Sequence, residues 1–318
     1  MKKFSLILVL LCVALSFIGC DLMENKKSKG DEYYQLGMKC IADSLAKKDY
    51  AQAFKWFTKA AESGHAAGQY QLGKLYYSGD GAPQNDSEAF KWFSLAVEQG
   101  NADAPTNLGY MYYKGRGVKK DYSKAEEFMR KAAEKGVDTA QHNLGVFYRE
   151  GFVVQKDMGE ALIWFRKAAS QNFARSQINL GWCYENGEGV EKDIKEAAKW
   201  YQKAADQGEA YAQNKIAILY EEGKGLVQNQ GEAIKYYRLA AEQGASYAQN
   251  NLGICYENGQ GVEKSNTEAY YWYLLAAAGG NENGLNNRDR ISQALGKEKR
   301  EEIQAKASKW MEENPPKD

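Results

Sequence analysis

The sequence carries no excess of charge of either sign: 42 Lys and Arg stand against 42 Asp and Glu among 318 residues. Nucleic-acid binders neutralise phosphates with a basic face, so that class of partner is not expected. Histidine is scarcer still. His65 and His142 stand at unrelated positions with no Cys or His at ligand spacing, so no metal site is expected either. Of five cysteines, Cys12 and Cys20 belong to the N-terminal segment. The remaining Cys40, Cys183 and Cys255 supply no framework of disulfide pairs. Long apolar runs are missing beyond Phe4–Phe17, and a stretch of that length is too short to span a bilayer as a helix.

That apolar run follows Met1-Lys2-Lys3 and ends in Ser16-Phe17-Ile18-Gly19-Cys20, the layout of a secretory leader. The Gly-Cys ending resembles the lipobox of a bacterial lipoprotein signal, with Phe17 where that box most often has Leu. The resemblance implies cleavage before Cys20 and lipid attachment to it, hence a protein anchored in the bacterial cell envelope and facing the periplasm or exterior. Several acyl chains on one terminus would hold it stably. An ordinary secretory signal with an accidental cysteine is the competing reading. Residues 21–30 are polar, without an apolar period, and read as a flexible tether.

Self-similarity dominates the rest. Gly64, Gly100, Gly136, Gly208, Gly244 and Gly280 recur at a spacing of 36, with Asn172 in the one gap. A second register holds Gly73, Gly109, Gly145, Gly181 and Gly253, and a third holds Gly79, Gly115, Gly151, Gly187, Gly223 and Gly259. Seven units result, from an atypical one at about 31–64 to Gly280. Each reads as two helices. In the second unit Leu72, Leu75 and Tyr76 define an apolar face, and Gly79 supplies the left-handed residue that ends many helices. The second helix starts at a register of N-cap residues: Asn85, Asp121, Asp157, Asp193, Asn229 and Ser265. Glu88, Glu160, Glu196, Glu232 and Glu268 stand three residues later and predict capping boxes. The tryptophan register, Trp56, Trp92, Trp164, Trp200 and Trp272, is core by its period.

The pattern A-x-x-x-L-G-x-x-Y-x-x-G-x-G-V, a cap, A-x-x-W and K-A-A-x-x-G resembles the Sel1-like repeat. It is most complete at Leu180, Gly181, Tyr184, Gly187, Gly189, Val190, Asp193, Ala197, Trp200, Lys203, Ala204, Ala205 and Gly208. The resemblance implies an all-α, right-handed α-solenoid of TPR-like helix pairs. The expected organisation is a signal peptide at 1–19, lipidated cysteine and tether at 20–30, the repeat solenoid at 31–280 and helical capping segments at 281–318. In the last, Ile291, Leu295, Ile303, Ala307 and Trp310 are the apolar positions of one or two amphipathic helices that break the period.

Candidate chemistry is thin. Cys183 and Cys255 share a register with Leu75, Met111, Phe147 and Leu219, which makes them small core hydrophobes. Two repeats apart at ~8–10 Å per packed helix, they stand too far apart for a disulfide. One cysteine-rich branch of Sel1-like proteins carries a cysteine pair in each repeat and has been assigned penicillin binding or β-lactamase activity; this sequence lacks those pairs. Ser44-Leu45-Ala46-Lys47 matches S-x-x-K, but no S-D-N or K-T-G follows. The G-x-G elements follow helices, not strands, and read as turns, not phosphate cradles. No cofactor and no catalytic residue is therefore assigned, and an envelope hydrolase or penicillin-interacting protein is the alternative reading.

What remains is a binding surface. In helix-pair solenoids the first helix of each unit lines the concave face. One row there runs Tyr70, Thr106, His142, Ile178, Asn214, Asn250, and a second runs Lys74, Tyr110, Val146, Trp182, Ile218, Ile254. A third runs Tyr77, Tyr113, Arg149, Glu185, Glu221, Glu257. An aromatic and apolar strip flanked by charge suits an extended peptide or partner helix. Tyr77, Tyr110, Tyr113, Arg149, Trp182, Glu185, Glu221 and Glu257 are the expected contacts. The three glutamates weigh most, because packing is not expected to require them in register.

Overall fold

The computed structural model describes residues 29–42, 48–151 and 153–315. The leader, Cys20 and the Ser44/Lys47 pair lie outside the described residues. Sixteen helices and no strand are found among the described residues, an all-α repeat solenoid as expected. A first helix, α1, covers 29–42. It is followed by α2 (Tyr50–Glu62), α3 (Ala66–Ser78), α4 (Asp86–Glu98), α5 (Ala104–Lys114), α6 (Tyr122–Glu134) and α7 (Asp138–Glu150). Then come α8 (Met158–Ser170), α9 (Ala174–Asn186), α10 (Ile194–Asp206), α11 (Ala210–Glu222) and α12 (Gln230–Glu242). The last are α13 (Ser246–Asn258), α14 (Asn266–Ala278), α15 (Glu282–Ser292) and α16 (Lys297–Glu313). These form two compact units divided between Asp157 and Met158, so α1–α7 belong to the first and α8–α16 to the second.

The caps work as predicted on one side only. Asn85, Asp121, Asp193, Asn229 and Ser265 each accept from the backbone N–H three residues on, and Asp49 does the same for α2. At Asn85, Asp193, Asn229 and Ser265 the reciprocal half of the capping box is not formed. The cap residue's own N–H instead donates to a last-turn tyrosine carbonyl of the preceding helix, as Asn85 does to Tyr76 and Asp193 to Tyr184. One bond thereby satisfies a free N–H and an orphan helix-end carbonyl together. The displaced glutamates pair along their own helices, Glu88 with Lys91, Glu196 with Lys199 and Glu232 with Lys235.

Two further expectations are corrected. In the tryptophan register Trp164 and Trp272 are buried as expected, but the deepest aromatic position is the residue after it: Phe57, Phe93, Phe165, Tyr201, Tyr237 and Tyr273 are the fully buried rings among the described residues. Trp56, Trp92 and Trp200 are only half-buried. A lysine ammonium covers each ring face, at 4.6 Å for Lys59 on Trp56 and 4.0 Å for Lys203 on Trp200. The period also continues past Gly280. Gly284 of α15 approaches Ala276 as Gly68 of α3 approaches Ala60. Asn287 donates to Asn250 at 3.0 Å as Asn251 donates to Asn214 at 3.1 Å. Arg288 and Asp289 stand where earlier units have Leu-Gly, which hides this eighth first helix from the pattern. Ile303 and Ala307 of α16 then bury the closing face.

Candidate functional site

In the first unit, Tyr77 of α3 lies under the Arg116 guanidinium, whose carbon is 3.8 Å from the ring centroid. Arg116 is the middle residue of a G-x-G turn and also grips Asp86 at 2.9 and 2.6 Å, which holds that carboxyl below its ordinary range. Tyr110 and Tyr113 of α5 sit 6.3 Å apart with Lys114 over both rings. Tyr110 is exposed, while Tyr113 also meets Tyr122 and Phe147. Arg149 of α7 pairs with Glu150 at 2.8 Å. The structure thus brings Tyr110 and Tyr113 together and gives Tyr77 and Arg149 ionic neighbours of their own.

In the second unit, Trp182 of α9 is half-buried, and the glutamates have a use that was not anticipated. Glu185 accepts from the Tyr201 hydroxyl at 2.6 Å, Glu221 from Tyr237 at 2.6 Å and Glu257 from Tyr273 at 2.7 Å. Each pair joins the first helix of a repeat to its second. Burial, and then the neighbouring carboxylate, push all three phenols well above their ordinary pKa, so they stay protonated donors. The premise that packing makes no demand for these glutamates therefore does not hold. Where the buried ring is Phe57, Phe93 or Phe165, the matching first-helix position holds Ile41, Tyr77 or Arg149. Glutamate enters with the hydroxyl that needs an acceptor. Glu185 also takes Lys215 at 2.9 Å from the next first helix, and Glu257 takes Arg290 at 2.7 Å. The hydrogen bond from Arg290 lowers the Glu257 pKa.

The remaining chemistry-bearing residues serve architecture. His65 caps α3, its Nδ1 accepting from the Gly68 N–H at 3.0 Å, while its Nε2 lies 2.9 Å from Asp31. No group of three or more potential metal ligands occurs among the described residues. Cys183 and Cys255 are buried thiols, as their register predicts. Burial pushes the Cys255 thiol up to about 12, with Glu221 adding to the shift. Iodoacetamide at pH 8 should leave Cys255 unmodified in the native protein and alkylate it fully in 6 M guanidinium, about which peptide mass spectrometry decides. Sequence reasoning also missed a buried glutamine register. Gln69, Gln141, Gln177, Gln213 and Gln249 each donate to the carbonyl of the alanine eight residues earlier, at the end of the preceding helix. Its signal was there, since glutamine recurs at that spacing.

Helix pairs of one repeating design, closed by a final helix, define a repeat solenoid. The repeats are Sel1 repeats. The Sel1 repeat model matches residues 33–65, 66–101, 102–137, 138–173, 174–209, 210–244 and 246–281, and the chain belongs to that family. Among solved structures, a Sel1 repeat protein from Oxalobacter formigenes is 33% identical, over 79% of this chain and 98% of that one, with a TM-score of 0.65. A protective antigen of uropathogenic Escherichia coli strains, described as displaying an SLR fold, is 29% identical over 92% of this chain and 69% of that one, with a TM-score of 0.56. A comparison with curated proteins finds no match.

Proposed function

We propose that the protein is a non-catalytic binding scaffold, held in the bacterial cell envelope by lipid on Cys20, which captures a protein or peptide on its first-helix faces. The Sel1 repeat fold is suited to protein–protein interaction. The observation that carries the reading is that first helices in each unit leave large aromatic side chains in solvent. Tyr247 is 72% exposed, Tyr211 48% and Tyr110 39%, aromatic positions that core packing does not use. Cys183, Cys255, His65 and the paired glycines, which would be candidates for chemistry, are instead taken up by packing, capping and turns.

The test is a crosslinking pull-down from envelope fractions with the wild type and with Tyr110→Ala, Trp182→Ala and Tyr247→Ala. Loss of a partner from one or more variants is expected; an identical set of partners from all four would overturn the assignment of the binding face. These substitutions are preferable to charge reversal of Glu185, Glu221 or Glu257, which would break the tyrosine pairs. The anchor rests on Lys2-Lys3, the apolar run and Gly19-Cys20. It predicts a mature N-terminal peptide that begins at Cys20 and carries acyl mass. An unmodified N-terminus in mass spectrometry would remove that part of the reading.

A further inference from the structure

Three equivalent places in the second unit repeat the same buried acid–phenol pair, and two of them bring a cation of their own. At the first, the Lys215 ammonium lies 2.9 and 3.0 Å from the two Glu185 carboxylate oxygens. It also stands 5.9 Å from the centroids of both Tyr201 and Tyr211, with those rings 6.5 Å apart. Carboxylate below and two aromatic faces beside it form a cage for an ammonium group. At the third, Arg290 reaches Glu257 with both terminal nitrogens, while Tyr273 donates from beneath.

The middle place keeps the acid–phenol pair and lacks the cation. Glu221 accepts from Tyr237 at 2.6 Å, as Glu185 does from Tyr201. Tyr247 stands on α13 at the register that Tyr211 holds on α11. Asn251 occupies the register of Lys215, and its amide turns to Asn214 at 3.1 Å. Ile254 occupies the register of Arg290. Glu221 has no ion pair among the described residues; the adjacent Glu222 is the one that takes Lys224, at 2.9 Å. Among the described residues Tyr247 is the most exposed of the large aromatic side chains and makes no ring contact, whereas Tyr211 rests against Tyr201.

We infer that Glu221, Tyr237 and Tyr247 form a socket for a lysine side chain of the partner protein, which docks where Lys215 docks one repeat earlier. The inference rests on the scaffold reading and specifies the partner's chemistry: an extended segment with a lysine, flanked by side chains that lie over Ile218 and Ile254. Charge complementarity selects the occupant. A half-buried carboxylate with one phenol donor retains acceptor capacity for an ammonium, and the exposed Tyr247, at the register from which Tyr211 meets Lys215, offers a cation–π face. A neutral side chain gains neither.

The test titrates the full chain, labelled with nitrogen-15, with acetyl-Gly-Gly-Lys-Gly-Gly-amide and with its norleucine counterpart. The lysine peptide should shift the backbone amides of Tyr247 and Ile254 saturably, and the norleucine peptide should bind at least about tenfold more weakly. Asn251→Lys, which installs the lysine of the preceding repeat, should reduce lysine-peptide binding to the norleucine level. It should fold normally, because Lys215 already holds that register beside the same acid and phenol. Glu221→Gln keeps an acceptor for Tyr237 and should weaken binding similarly, which provides a second variant. Equal binding of the two peptides, or undiminished binding by Asn251→Lys, would overturn the inference. A partner captured equally by the wild type and Asn251→Lys would sink the lysine socket and leave the scaffold standing. Failure to capture any partner would count against the scaffold alone, since the peptide titration reads the socket directly.

Discussion

Glu221→Leu should lower the unfolding free energy by about 1–3 kcal/mol, and adding Tyr237→Phe to it should recover most of the loss. Tyr237 is 1% exposed and its hydroxyl donates to Glu221 at 2.6 Å. Removing the acceptor leaves a buried hydroxyl without a partner, and the cost is that group's desolvation, not the net worth of one hydrogen bond. Removing both partners leaves apolar surface on both sides. The chain contains the control: Phe57 faces Ile41 across the equivalent pair of helices, and Phe165 stands in the same register as Tyr237. A double-mutant cycle in chemical unfolding should therefore give a coupling of at least about 1 kcal/mol, where two independent surface changes would give less than about 0.5 kcal/mol. Tyr237→Phe alone should cost little, because the carboxylate it exposes can turn to water. Additive losses would mean that the glutamate row is held by something other than the tyrosines.

The same pairs show where sequence reading succeeds and where it stops. The repeat, its helix boundaries and its turns were legible because each rests on local chemistry: a cap residue acts on the next turn, and a left-handed glycine acts on its own backbone. Asn172 is an instance. It fills the gap in a glycine register and holds φ at 68°, a conformation that asparagine tolerates better than most residues. The glutamates were misjudged because their reason is sixteen positions away, on another helix, and appears only when the Phe-to-Tyr change is read together with the Ile, Tyr or Arg-to-Glu change. The capping boxes were half wrong for a related cause. The cap N–H had a better acceptor in the preceding helix, which no local motif reveals. The eighth first helix escaped because Arg288-Asp289 replaces Leu-Gly, although Gly284 and Asn287 still make the contacts of the repeat. Of the exposed tyrosines, Tyr110 was legible from its register, whereas Tyr211 and Tyr247 escaped, since an aromatic residue on a helix reads as core until its neighbours are known.

Gly117→Ala should be among the most damaging single-methyl changes in the protein, on the order of 3 kcal/mol, while Gly136→Ala should cost only about 1 kcal/mol. Both glycines have positive φ, 65° and 91°. They differ in what surrounds them. A Cβ on Gly117 would stand 2.2 Å from the Asp86 carbonyl oxygen and 2.5 Å from its carbon, whereas nothing lies within 4 Å of a Cβ on Gly136. The second glycine of G-x-G is thus the point where the turn of one repeat rests directly on the first residue of the second helix of the repeat before it. Gly81 approaches Tyr50 and Gly225 approaches Ile194 in the same manner. Backbone offers no rotamer through which to yield, so the methyl must separate two repeats or unwind the N-terminus of α4. Gly136 follows the end of α6, and the equivalent Asn172 shows that a side chain is accepted there. Asparagine sharpens the comparison, because it removes most of the φ penalty at both sites and leaves the clash at one. Gly136→Asn should stay within about 0.5 kcal/mol of the wild type, and Gly117→Asn should unfold at a much lower denaturant concentration. Equal midpoints for the two asparagine variants would show that the G-x-G glycine serves the turn alone and carries no contact between repeats.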